Sequence, residues 1–203
     1  MKNFPVKVDG KEYWISRSVA VAVSIYTFIN GKLCILANKR GPGLPGQNFS
    51  NPGKWNVVSG FIDYDETLKD ACIREVHEET GVDISNVELK LMLIDDSPER
   101  SGQVILFRYI GFYYNPQNKI TLTNKYSEPK EVDDVKFIPI DELDNYDWTS
   151  ENHKKKIKEY GDYILYNNST ARAIAINIAR MNINLEYNDK IKNSVYYDTD
   201  IIK

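Results

Sequence analysis

Cysteine and histidine are scarce, with 2 of each among 203 residues. Two cysteines, Cys34 and Cys72, do not suggest the disulfide framework of a small secreted domain. The two histidines, His77 and His153, suggest no Ser-His-Asp or Cys-His arrangement. A long apolar run is also missing. Val19 to Ile29 is apolar but far shorter than the roughly 20 residues that span a bilayer. Positive charge is not in excess: the net charge is −3 and the sequence pI about 5.5. No broad basic surface is therefore expected, and no nucleic-acid partner. The opening stretch MKNFPVKVDGKEYW lacks the apolar core of a signal peptide. No internal repeat or low-complexity tract interrupts the chain. These absences lead us to expect no membrane contact and a reducing, cytoplasmic setting. The hydrophobic share of 42% is enough for a core. The length suits one domain with an appendage.

What is present is concentrated in one segment. Gly60 to Val82 reads GFIDYDETLKDACIREVHEETGV. Glu75, Glu78 and Glu79 crowd into one helical turn, where like charges three and four apart repel. The C-terminal end of the helix dipole makes this worse. On a wheel of about 100° per residue with Leu68 at zero, Ala71 falls near ~300° and Cys72 near ~40°. Glu75 then falls near ~340°, Glu78 near ~280° and Glu79 near ~20°. The acids share the apolar stripe, whereas a solvated charged face would lie opposite it. Carboxylates partly withdrawn from water need partners, and hard oxygen ligands gathered together suit Mg²⁺ or Mn²⁺. Gly81 stands where a helix commonly ends in a left-handed residue. Gly60 lets backbone approach a ligand or metal. Asp63 and Asp65 offer N-caps, with Glu66 at capping-box spacing from Asp63.

The fixed residues resemble the Nudix hydrolase signature. That signature is Gly, five residues, Glu, seven residues, Arg-Glu, an aliphatic residue, any residue, Glu-Glu, any residue, Gly and an aliphatic residue. Gly60, Glu66, Arg74, Glu75, Glu78, Glu79 and Gly81 meet it, with Val76 and Val82 in the aliphatic places. Ser59 stands where many members carry a first glycine. The resemblance implies an α+β (α/β) αβα sandwich with a mixed sheet. It also implies Mg²⁺-dependent (or Mn²⁺-dependent) hydrolysis of the pyrophosphate bond in a nucleoside diphosphate linked to another moiety.

The rest of the chain reads as strands and loops before helices. Residues 4–16 suggest a hairpin turning at Asp9-Gly10, and Val19 to Ile29 a buried strand. Asn30-Gly31 is a hairpin turn, with Lys32 to Asn38 as the returning strand. The segment 41–53 is a glycine- and proline-rich loop. Trp55 to Ser59, Val87 to Ile94, Val104 to Tyr113 and Val135 to Ile138 read as strands, and Ile140 to Leu143 as the start of a helix. Residues 151–159 are helix-compatible. Ala171, Ile174, Ala175 and Ile178 predict an amphipathic helix capped by Ser169 or Thr170. The polar tail from Asn182 is expected to fray. We divide the chain into a Nudix domain, 1–146, and a C-terminal helical extension, 147–203, packed on the same domain. That helix is also a candidate homodimer contact.

Candidate roles follow. The resemblance implies Glu75, Glu78 and Glu79 as metal ligands, joined by the Gly60 carbonyl. Arg74 cannot lose its proton and grips carboxylates bidentately, so it is assigned to hold Glu78 or another box acid. Glu66 supports the loop or stands behind the ligands; both remain open. The general base is Glu131, which precedes VDDVKFIPIDEL, or a box acid, Glu78 or Glu79. Glu128 lies nearby. Arg40 is a candidate phosphate contact, with Lys39 read as a solvated strand end. Phe61 and Tyr64 are candidates for stacking on a base, and Trp55 is assigned to the core. Pro98 lies sixteen residues past Val82, where the ADP-ribose subgroup carries a proline. Arg100 joins it as a substrate candidate. The small-molecule substrate expected is ADP-ribose or a nucleotide sugar. A nucleotide-sensing or regulatory protein without catalysis, and a hydrolase of oxidised nucleoside triphosphates, remain alternatives.

Overall fold

The computed structural model describes residues 4–44, 51–98, 104–115 and 120–195. Strands β1 (Phe4–Val8) and β2 (Lys11–Ile15) form a separate antiparallel hairpin. Seven strands make the main sheet: β3 (Val19–Ile29), β4 (Lys32–Arg40), β5 (Trp55–Asn56), β6 (Val58–Phe61), β7 (Lys90–Asp95), β8 (Ile105–Phe112) and β9 (Val132–Pro139). Helix α1 (Leu68–Thr80) follows β6, while α2 (Glu151–Asn167) and α3 (Ser169–Val195) close the described chain. The sheet is mixed, because β3 pairs with β8 in parallel and with β4 and β6 antiparallel.

β3 is buried on both faces, as its near-continuous apolar run requires. Val21, Val23 and Ile25 pack with Ala71, Cys72 and Val76 of α1. Ala20, Ala22 and Tyr26 point the other way, into the cluster that also holds Ile157 and Ile164 of α2 and Ala171 of α3. Two helical layers thus flank the sheet. The Tyr26 hydroxyl donates to the Ile157 carbonyl at 2.8 Å, which fastens α2 to the sheet.

One topological detail positions the site. The second half of β3, Tyr26 to Ile29, pairs with β4, and its first half, Ala20 to Val23, pairs with β6. The neighbouring strand therefore changes midway. The fork brings Ser59 and Gly60 of β6 beside Ala22 and Val21, facing the C-terminal half of α1.

Several local expectations are corrected. Helix α1 is capped by Thr67, whose side chain accepts from Asp70 N, and not by Asp63 or Asp65. Asp65 lies in the left-handed region at φ 63°, and Asp63 N–H donates to Glu66, so both belong to the preceding turn. Ile140 to Leu143 does not start a helix. A short 3₁₀ turn, Leu143–Asn145, forms there, after which Asp147 and Thr149 hydrogen-bond to the Trp55 backbone and extend the chain. The cap of α3 is Asn168, whose Oδ1 accepts from Ala171 N at 2.9 Å. The backbone stays helical through Val195 rather than fraying from Asn182. The strand expected over Val87 to Ile94 begins at Lys90, since Val87 closes a turn onto the Ile84 carbonyl.

Candidate active site

The box helix begins greasy and ends acidic. Ala71, Cys72 and Val76 are buried, and so are Glu75 at 9% exposure and Glu79 at 3%. Glu78 is partly exposed at the rim. Gly81 ends the helix with φ 75° and donates to the His77 carbonyl, a conformation that Gly adopts at least cost.

Arg74 organises the acids. Its Nε and Nη2 bind the Glu66 carboxylate at 2.8 and 2.9 Å, the bidentate fork that a guanidinium makes with a carboxylate. Nη1 reaches Glu75 at 2.8 Å and Glu78 at 3.1 Å, and Nη2 also donates to the Phe61 carbonyl at 2.9 Å. Glu66 thus orients the arginine, and the arginine orients two box acids.

Burial sets the electrostatics. It pushes the Glu75 carboxyl up to about 7, although Arg74 pulls the other way. The Glu79 carboxyl is also held well above its ordinary range by burial, with Glu75 and Glu131 adding repulsion. Asn38 Nδ2 donates to Glu79 at 2.5 Å, and the Ser59 backbone N–H bonds the same carboxylate. Burial raises Glu131 as well, and neighbouring carboxylates add to it, while Arg40 opposes them.

A cavity of about 890 Å³ opens over this rim. Gly60, Phe61, Arg74, Glu75, Glu78, Glu131 and Arg40 all line it. Glu79 lies behind them, against Asn38. Phe61 is 58% exposed at the mouth, whereas Trp55 is packed in the core. Lys39 pairs with Asp133 at 3.1 Å. Pro98 is exposed and does not line the cavity, and Arg100 lies outside the described residues.

Sequence reasoning missed the far wall of the cavity, which includes His153, Arg108 and Asn56. Thr149 Oγ1 lies 2.5 Å from His153 Nδ1, and the ring lines the cavity. The available signal was helical spacing: His153 shares a face with buried Ile157 and Ile164. Arg108, also on the cavity wall, is the one charged residue in the strand ILFRYIGF. Asn56 lies in a two-residue strand too short to show a pattern.

Among the described residues, no three His, Cys, Asp or Glu side chains already converge on one point as a metal site. Arg74 Nη1 stands between Glu75 and Glu78. The donor chemistry nonetheless fits a hard divalent cation. Carboxylate oxygens are gathered and desolvated, and Asn38 Oδ1 is buried beside them without a hydrogen-bond partner. Gly60 leaves room for the Glu75 carboxylate against the backbone.

The molecule is a mixed sheet between helices with a carboxylate-edged cleft at a loop–helix–loop. The NUDIX domain family matches residues 18–160, and the chain belongs to the Nudix hydrolases. Members of this family generally use a divalent metal ion. The ADP-ribose pyrophosphatase of Methanocaldococcus jannaschii is 31% identical over 161 residues, covering 78% of this chain and 83% of that one. Among solved structures, the NUDIX domain of Shewanella oneidensis NrtR, complexed with ADP ribose, superposes with a TM-score of 0.57 at 19% identity. It covers 74% of this chain and 90% of that one. The M. smegmatis hydrolase RenU also reaches 0.57, at 14% identity, over 78% of this chain and 92% of that one. Both share the fold. Among the described residues no helix is long and apolar enough to cross a membrane.

Proposed function

We propose that this Nudix hydrolase cleaves the diphosphate of ADP-ribose or a nucleotide sugar, with Mg²⁺ or Mn²⁺ held by Glu75, Glu78 and Glu79 and the Gly60 carbonyl. The observation that carries this reading is the set of desolvated carboxylates at the edge of a large cavity. The 31% identity to an archaeal ADP-ribose pyrophosphatase supports the substrate class. When bound, the divalent ion would neutralise diphosphate charge and polarise the attacking water.

The chain's own residues do the rest. Arg74 holds Glu75 and Glu78 in place and is itself oriented by Glu66. Glu131, or a box acid, accepts the proton of the attacking water. The water oxygen bonds to one phosphorus while that phosphorus loses its bond to the bridging oxygen. A nucleoside monophosphate and a phosphorylated second group result. Arg40, on the same cavity wall as Glu131, meets phosphate charge, and Phe61 is placed at the mouth to stack.

The division into 1–146 and 147–203 belongs to the same proposal, supported by Ile157, Ile164 and Ala171 entering the strand cluster. A homodimer through α3 is supported by its exposed Ile176 and Met181. Two buried, unbridged cysteines support a cytoplasmic setting.

The deciding experiment is a hydrolysis screen of nucleoside diphosphate derivatives with Mg²⁺ or Mn²⁺, with products read by liquid chromatography. We expect turnover of ADP-ribose or a nucleotide sugar that EDTA abolishes and Glu78→Gln cripples. Full activity of Glu78→Gln in saturating Mg²⁺ would overturn the site assignment.

A further inference from the structure

The cavity does not end at the carboxylates. It continues over the α2-facing side of the sheet, where Ala20, Ala22 and Leu106 line it. Ala20 pairs with Leu106 and Ala22 with Arg108 across the parallel β3–β8 ladder, so these four side chains sit side by side. Methyl side chains at the centre of a sheet leave a flat apolar recess. Its walls are polar: Arg108 from β8, Asn56 from β5 and His153 from α2. A flat apolar floor with a few placed polar groups suits a planar heterocycle.

The polar wall is ordered by Thr149. Asn56 Nδ2 donates to Ser59 Oγ at 3.3 Å, which turns its Oδ1 toward Thr149, 3.4 Å away. Thr149 Oγ1 also lies 2.5 Å from His153 Nδ1, so Thr149 holds the imidazole against the Asn56 amide. The guanidinium of Arg108 only donates, whereas an imidazole nitrogen donates or accepts. The cavity thus sets polar groups of different hydrogen-bonding character beside an apolar floor, and such groups discriminate base edges.

We propose that Arg108 and His153 are the residues by which this protein selects the nucleobase of its substrate, with Thr149 as the positioning residue that orients the His153 ring. This rests on the reading that the cleft takes a nucleoside diphosphate derivative. It gives the segment after residue 147 a part in specificity.

The test compares kcat/KM, in the full-length metal-loaded protein, for ADP-glucose, GDP-glucose and UDP-glucose, which differ in base alone. ADP-ribose against ADP-glucose serves as the control in which the base is constant. We expect the wild type to rank the three bases. Arg108→Met and His153→Phe should each shrink the preference for the best base over the worst about tenfold, mainly through KM. The ADP-ribose to ADP-glucose ratio should stay within twofold. Thr149→Val should act in the same direction as His153→Phe, and Thr149→Ser should restore the wild-type ranking. Should Arg108→Met lower the melting temperature sharply, Arg108→Gln decides by the same ratio. An unchanged base ranking in the variants, or a shift in the sugar ratio instead, overturns the inference while leaving the proposed hydrolysis intact. A wild type that turns over none of the four overturns that substrate class and this inference with it.

Discussion

Glu75 occupies the space where a side chain on residue 60 would be. A Cβ built on Gly60 would stand 2.0 Å from Glu75 Oε1 and 2.3 Å from Oε2. The requirement for glycine is therefore one of close approach, since Gly60 is not among the residues of positive φ. Arg74 grips the same carboxylate at 2.8 Å, so it cannot swing aside without breaking that contact.

Gly60→Ala should therefore fold and fail to work. Misplacing a reacting group by about 1 Å can cost roughly 100-fold in rate, and we expect a loss of at least that order. Circular dichroism and steady-state kinetics on the variant check both halves. Wild-type turnover would show that Glu75 need not sit where it does.

Arg74→Lys should weaken the site without emptying it. A lysine ammonium cannot reproduce the fork that binds Glu66 while reaching Glu75, Glu78 and the Phe61 carbonyl. Losing such an orienting partner typically costs about 10–100-fold in metal affinity or activity. Activity measured across a Mg²⁺ titration should show half-saturation moved upward.

Tyr26→Phe should destabilise the fold by about 1 kcal/mol, the net worth of one neutral hydrogen bond. The lost bond is the one that ties β3 to the Ile157 carbonyl on α2. Urea denaturation should show a lower midpoint with an unchanged slope. Activity should be close to wild type where the protein remains folded.

Thiol chemistry supplies a fourth check. Burial pushes the Cys34 thiol up to about 11 and the Cys72 thiol up to about 12. Reaction proceeds through the thiolate, so at pH 8 almost none is present in the folded state. A chromogenic disulfide reagent should react slowly with native protein and release two equivalents promptly in denaturant. Reactivity should climb as pH rises toward 11, since a raised pKa delays ionisation to higher pH.

The box was legible because its chemistry is local. Glu75, Glu78 and Glu79 lie within one helical turn, and their place on the apolar stripe shows in the residue spacing alone. Gly81 was equally readable as a helix end. Thr67 was not identified as the cap, because Asp63 and Asp65 offer the same chemistry a few residues earlier and the turn geometry decides between them. The far wall of the cavity was hidden for a different reason. Ala22, Asn56, Arg108 and His153 come from four separate elements, and no periodicity links them. The place of Arg40 beside Glu131 depends on the pairing of β4 with β9, which sequence does not reveal.

The fork in β3 also bears on how the molecule assembles. This strand is bounded by β4, β6 and β8, and β8 joins it only after α1 and β7 have been traversed. Contacts between segments so far apart in sequence require long loops to close first, and mixed topologies of this kind fold more slowly than helical bundles. The central strand is complete only when all three neighbours have arrived. We therefore expect refolding in which the cleft and the hydrophobic layers form in the same late step, so that recovery of nucleotide hydrolysis tracks recovery of tertiary structure rather than of helix content.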